Sequence, residues 1–181
     1  MLAPIPISLG LALAIATVAA VYDGRSGTIP NWLTLPPVLF APPTYALALG
    51  LEYGVQSVAA VLASGIAPYL LFRRRAVGGG DVKLFAALGA VTGFDPLLGV
   101  RIQLGAFLAA MLVAFAGLAW QGKLFSTVLS AGAMSLNRFL PASRQLRVSD
   151  SLLTPVRMGS AVLLATVGSA LAYATPLWSG R

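Results

Sequence analysis

Residues 73–83 read Arg-Arg-Arg-Ala-Val-Gly-Gly-Gly-Asp-Val-Lys, and long apolar runs flank them on both sides. Three consecutive glycines, at positions 78–80, remove every side chain from the backbone just before the carboxylate of Asp81. Glycine adopts backbone angles that other residues avoid, and it lets another chain approach closely. The apolar run over residues 84–100 contains a single acid. The stretch therefore places a negative charge on bare backbone at the start of a helix, at the edge of a predicted membrane span.

The composition indicates a helical membrane protein. Of the 181 residues, 58% are hydrophobic and only 9% are charged, whereas a typical soluble domain carries about 25% charged residues. A transmembrane β-barrel would show short alternating segments instead of long apolar runs. We therefore expect an all-α fold, a polytopic membrane protein with about six transmembrane helices.

The apolar runs predict where these six helices lie. Their expected ranges are 1–22, 32–50, 55–72, 82–93, 95–120 (or from 101) and 154–178. A cleavable signal peptide is the alternative for the first run, but it needs a basic start, and the first basic residue is Arg25. Four prolines in the second run predict a kinked or partly unwound helix, which a membrane tolerates when neighbouring groups satisfy the freed carbonyls. Residues 124–140 carry polar side chains on one helical face and leucines on the other, which predicts an interfacial helix on the cytoplasmic membrane surface.

Basic residues collect on one side of the predicted membrane. Arg101 and Arg181 fall on one side, and the other ten Lys and Arg residues fall on the opposite side: Arg25, Arg73, Arg74, Arg75, Lys83, Lys123, Arg138, Arg144, Arg147 and Arg157. The positive-inside rule assigns the ten to the cytoplasmic face of the cell membrane, and it predicts that both termini lie outside. We expect this charge to contact anionic lipid headgroups and not nucleic acid.

The chain offers few groups for chemistry. It has no cysteine and no histidine, which excludes disulfides, zinc sites built from these residues, and Ser–His or Cys–His catalysis within the chain. We expect no metal and no cofactor. Asp95-Pro96 is typical of a helix start with Asp as the N-cap. Glu52 falls in a predicted outer turn and Asp150 in the basic cytoplasmic loop, and we expect both side chains to be solvated.

Asp23 and Asp81 are the remaining acids, and both are predicted at the same depth on the cytoplasmic side. Each has a structural explanation when taken alone: Asp81 as a helix N-cap, and Asp23 as a solvated helix end, although a carboxylate there opposes the helix dipole. Two carboxylates that lie close together share a proton. The ionised one then acts as a base on water, while the protonated one polarises a scissile carbonyl. The pair therefore favours aspartyl proteolysis, although sequence spacing does not bring the two side chains together.

Two motifs resemble those of the prepilin peptidases, or type IV leader peptidases, a family that includes the preflagellin peptidases of archaea. Residues 23–31, Asp-Gly-Arg-Ser-Gly-Thr-Ile-Pro-Asn, resemble the family's Asp followed by a basic loop and Ile-Pro-Asn. Residues 78–84 resemble its Gly-x-Gly-Asp motif with a Val-Lys continuation. The resemblance implies that Asp23 and Asp81 are the catalytic aspartates. It also implies substrate-binding positions in the two motifs, namely Gly78, Gly79, Gly80, Ile29, Pro30 and Asn31.

The resemblance also implies a substrate. It would be the short basic leader of a membrane-anchored prepilin- or archaellin-like precursor, cut on the cytoplasmic side just before the hydrophobic helix. Many bacterial members also have a cytoplasmic domain with paired cysteines and N-methylate the new terminus. Because this chain lacks cysteine, we expect one transmembrane peptidase domain over residues 1–181 and no methyltransferase domain. The chain is similar to the short members, either archaeal or of the tight-adherence pilus type.

Two other functions fit parts of the pattern. A presenilin-type intramembrane aspartyl protease would explain Tyr22-Asp23 and the glycine–Asp motif, but that type carries a Pro-Ala-Leu motif that this chain lacks. It would also leave Ile29-Pro30-Asn31 unexplained. A small transporter or a scaffold of a secretion assembly would use the two aspartates as ion sites, and proline-broken spans are common in transporters. The absence of an inverted repeat argues against it.

Overall fold

The computed structural model describes residues 4–122, 129 and 158–174. These ranges contain no strand, and six helices have described bounds: α1 (Pro4–Ser26), α2 (Asn31–Leu49), α3 (Leu51–Arg73), α4 (Gly79–Val91), α5 (Pro96–Trp120) and α6 (Gly159–Ala174). The all-α prediction is confirmed for this part of the chain.

Three of the helices are long and apolar enough to cross a membrane: Ile7–Ser26 within α1, the whole of α3 and the whole of α5. At about 1.5 Å per residue, the 13 residues of α4 extend for about 20 Å, less than the roughly 30 Å of a hydrocarbon core. Spans at α2, α4 and α6 stay predictions. The predicted interfacial helix lies outside the described residues except for Leu129, which is helical and exposed.

The chain divides into two compact units, one formed by Met1–Ala109 with Arg157–Arg181 and the other by Ala110–Val156. In the first unit α4 is the central helix, because it packs against α1, α2 and α3. Its side chains Leu84, Phe85 and Leu88 are fully buried. The helix that starts with the glycines is therefore the hydrophobic centre of this unit. One peptidase domain over the whole chain stays a prediction.

Small residues let α3 and α4 pack closely. A Cβ atom added at Gly89 would lie 2.5 Å from the carbonyl oxygen of Ala60 and 2.7 Å from Oγ of Ser64. One turn away, Oγ of Ser57 donates a hydrogen bond of 2.8 Å to the carbonyl oxygen of Ala90. Close backbone approach and hydroxyl-to-backbone hydrogen bonds are typical of helix packing in lipid. They hold α4 against the rest of the unit.

The second helix continues through all four of its prolines, so the expected partial unwinding is wrong, and only a bend remains compatible with the structure. Near its end, the hydroxyl of Tyr45 donates to the carbonyl oxygen of Val91 on α4. The same hydroxyl lies 2.7 Å from Oγ of Ser8 on α1. Since its single proton is used toward Val91, Ser8 is the donor to Tyr45. This buried network ties α1, α2 and α4 together.

Candidate active site

The ends of α1 and α4 enclose a cavity of about 320 Å³, which we call the aspartate cavity. Its lining consists of Asp23, Gly27, Thr28, Ile29, Gly78, Gly79, Gly80, Asp81 and Lys83. Two carboxylates that are 58 positions apart in the sequence therefore face one space. Of the predicted site residues, only Pro30 and Asn31 do not line the cavity. They begin α2, with Pro30 as its N-cap.

Asp23 lies near the end of α1 and is 8% exposed. Its Oδ2 accepts a hydrogen bond of 2.8 Å from the backbone N–H of Gly159, the first residue of α6. The sequence places Asp23 unfavourably, at the negative end of the α1 dipole. The fold brings it to the positive end of α6, where a carboxylate is stabilised. Sequence reasoning did not assign a role to Gly159, because nothing local in the sequence indicates a contact between residues 136 positions apart.

Asp81 lies in the first turn of α4 and is not the N-cap. The helix begins at Gly79, with Gly78 as the N-cap, so Asp81 is the third residue of the helix. Its Oδ2 accepts a hydrogen bond of 3.2 Å from the backbone N–H of Gly78. This contact is half of a capping box, in which an acid at the third position binds the N-cap amide. The interaction orients the carboxyl group toward the helix start, beside the cavity.

Burial raises the pKa of the Asp81 carboxyl from an ordinary 3.8 to about 6. The hydrogen bond from Gly78 opposes this rise in pKa, and the negative charge of Asp23 adds to it. A negative charge raises the pKa of a carboxyl group only when it lies near that group. The two carboxylates are therefore electrostatically linked, and near neutral pH Asp81 holds its proton more readily than an ordinary aspartate.

The three glycines at positions 78–80 line the aspartate cavity and also pack against the protein's own atoms. A Cβ atom added at Gly80 would lie 3.2 Å from Cβ of Ile29, and one added at Gly79 would lie 3.3 Å from the ring of Phe72. None of the three has the left-handed backbone that favours glycine. Their small size therefore permits close packing, with Gly80 allowing the loop at Ile29 to contact α4. The approach of a substrate backbone to these glycines stays a prediction.

A hydrogen bond joins the two sequence motifs. Nζ of Lys83 donates to Oδ1 of Asn31 at 2.8 Å, and the side chain of Ile29 is buried against Gly80. Ile29 thus lines the cavity, and Asn31 binds the ammonium group of Lys83 beside it. Sequence reasoning named Lys83 as part of the motif but did not find its partner.

Together, the fold and the cavity define a helical membrane protein with paired carboxylates at the ends of two packed helices. A model of the type IV leader peptidase family matches residues 10–122, a range that contains both motifs and both aspartates. The chain belongs to this family and is a peptidase, which confirms the resemblance drawn from the motifs. Comparisons with curated proteins and with solved structures gave no match.

Proposed function

We propose that the chain is an aspartic endopeptidase in which Asp23 and Asp81 form the catalytic pair. The observation that carries this proposal is their position in one cavity, where the charge of one carboxylate raises the pKa of the other. The raised pKa lets Asp81 keep its proton at a pH where an ordinary aspartate has lost it. One carboxylate is then available as a base while the other carboxyl remains an acid.

In this mechanism the ionised carboxylate takes a proton from a water molecule, whose oxygen attacks the scissile carbonyl carbon. The protonated carboxyl donates its proton to the carbonyl oxygen, which gives a tetrahedral diol. The carbon–nitrogen bond then breaks. The leaving nitrogen takes the proton held by the base, and the other carboxylate recovers a proton from the diol. The leader ends in a new carboxyl group, and both aspartates return to their starting states.

The substrate is the short basic leader of a membrane-anchored prepilin- or archaellin-like precursor. Membership of the leader peptidase family supports this substrate class. Lys83 lines the cavity, and Arg25 and the arginines at 73–75 lie within a few residues of its lining in the sequence. The positive-inside rule places such residues on the cytoplasmic side. Cleavage therefore occurs at the cytoplasmic membrane face. With six spans, the same rule puts both termini outside.

Co-expression with a prepilin-like precursor tests the proposal. The wild-type chain is expected to shift the precursor to a smaller size on a gel. Asp23→Asn and Asp81→Asn keep the size of each side chain but remove its titration, so each is expected to abolish the shift. Glu52→Gln is the matched control, because Glu52 is exposed and does not line the cavity. Cleavage that survives both aspartate changes would contradict an aspartic mechanism and favour another role for the pair, such as ion binding.

A further inference from the structure

The contact between Asp23 and Gly159 leaves no room for a side chain. A Cβ atom added at Gly159 would lie 2.7 Å from Cβ of Asp23, 2.9 Å from its Oδ2 and 3.1 Å from Cα of Ala20. The first of these distances is well below any normal carbon–carbon contact. Position 159 therefore requires glycine so that the start of α6 can reach the Asp23 carboxylate. This position lies outside the range that the family model matches.

The hydrogen bonds to the two aspartates differ in strength. Gly159 donates to Asp23 at 2.8 Å, within the range of charge-assisted hydrogen bonds. Gly78 donates to Asp81 at 3.2 Å, the long end of the N–H···O range. The bond to Asp23 is also buried, whereas the bond to Asp81 is exposed, and a hydrogen bond is electrostatically stronger away from water. Asp23 therefore receives the stronger of the two hydrogen bonds.

We propose that Gly159 is a positioning residue that holds Asp23 as the ionised member of the pair. This inference rests on the proposed aspartic mechanism and divides its two roles. Asp23 takes the proton from the attacking water, and Asp81 donates its proton to the scissile carbonyl oxygen. When the carbon–nitrogen bond breaks, Asp23 passes its proton to the leaving nitrogen and Asp81 is protonated again. The start of α6 thereby selects which aspartate is the base.

Few other charged groups face Asp23 in the part of the chain that the structure describes. The aspartate cavity contains two further charged side chains, Asp81 and Lys83, both on α4. Arg25 follows Asp23 on α1. The only titratable side chain described on α6 is Tyr173, which packs against Phe94. The pH dependence of cleavage should therefore report mainly the aspartate pair.

The variant Gly159→Ala tests the inference in the full-length enzyme in detergent, with Gly168→Ala as the control on the same helix. A Cβ atom at Gly168 meets no atom within 4 Å, so this variant should cleave like the wild type. At Gly159 the new methyl group displaces the carboxylate by up to about 1 Å, which costs about 100-fold in kcat with little change in KM. The pH profile should also differ from that of Gly168→Ala, because the Asp23 carboxylate loses its hydrogen bond from α6. A kcat and pH profile equal to those of Gly168→Ala would overturn the inference.

A chemical label tests the same inference in the wild-type enzyme, so the answer does not depend on whether Gly159→Ala folds. A carboxylate anion opens a nitrophenyl glycidyl ether: its oxygen bonds to the terminal epoxide carbon, the ring carbon–oxygen bond breaks, and the ring oxygen takes a proton from water. The product is an ester on the ionised aspartate, which peptide mass spectrometry locates. We expect the ester on Asp23, and an ester mainly on Asp81 would overturn the assignment. If the wild type cleaves no precursor, the proposed function itself fails; if it cleaves and labels Asp81, only the division of roles fails.

Discussion

The pH dependence of cleavage follows from the raised pKa of Asp81. With a pKa of about 6, the carboxyl is about nine-tenths protonated at pH 5 and about one-tenth protonated at pH 7. If Asp81 is the proton donor, kcat/KM should fall about tenfold for each pH unit above 6. The assay measures initial cleavage rates of a purified precursor by the detergent-solubilised enzyme between pH 4 and pH 9.

The free energy of unfolding should also depend on pH in the same range. The pKa of Asp81 is higher in the folded protein than in the unfolded chain. Protonated Asp81 therefore contributes its full stabilisation below about pH 3.8, and this contribution is lost as the pH rises through about 6. The rise corresponds to at most about 3 kcal/mol, and partial exposure of the side chain screens part of it. Asp81→Asn removes this titration, so its melting temperature should vary less between pH 4 and pH 7 than that of the wild type.

Together these two measurements separate catalysis from unfolding. If the wild type loses activity above pH 6 while it remains folded, the loss reflects deprotonation of the aspartate pair. A value of kcat/KM that rises steadily from pH 6 to pH 8 would refute the role of Asp81 as the proton donor. A melting temperature of Asp81→Asn that follows the wild type at every pH would refute the raised pKa.

Two further predictions concern packing and the link between the motifs. Gly89→Ala places a methyl group 2.5 Å from the carbonyl oxygen of Ala60, so it should destabilise the protein by about 1–3 kcal/mol; thermal unfolding should show this beside Gly10→Ala, whose added methyl group meets no atom within 4 Å. Equal stability of the two variants would refute the close packing of α3 and α4. Lys83→Met and Asn31→Ala should each lower kcat/KM by about tenfold, the value of a hydrogen bond to a charged group, and the double variant should be no worse than either single one. Additive losses would show that the hydrogen bond does not couple the two motifs.

The sequence allowed the pairing of Asp23 and Asp81 to be predicted, because both fall at the ends of apolar runs and the charge pattern puts those ends on one side. That prediction required only the number of spans and the positive-inside rule. The position of Ile29 at the site could also be predicted from the sequence, because Ile29 belongs to the motif at residues 23–31. Both are properties of short segments and of the order in which those segments cross the membrane.

Other features depend on packing between distant helices. The contact of Gly159 with Asp23 exists because α6 packs against α1, and no local pattern near Gly159 indicates this partner. The glycines were expected to let a substrate approach, and the structure shows in addition that Gly79 and Gly80 make room for Phe72 and Ile29. The sequence shows that a position has no side chain, but it does not show which neighbouring side chain packs there. The short length of α4 likewise depends on the turn that ends it after Val91.

The central claim is that Asp23 and Asp81 together hydrolyse the leader of a membrane-anchored precursor. The most direct measurement compares purified wild type, Asp23→Asn, Asp81→Asn and Glu52→Gln on one purified precursor, with the products identified by mass spectrometry. The account predicts that the wild type and Glu52→Gln release the leader at equal rates, and that each aspartate variant is slower by about 100-fold to 10,000-fold. Release of the leader at the wild-type rate by either aspartate variant would contradict it.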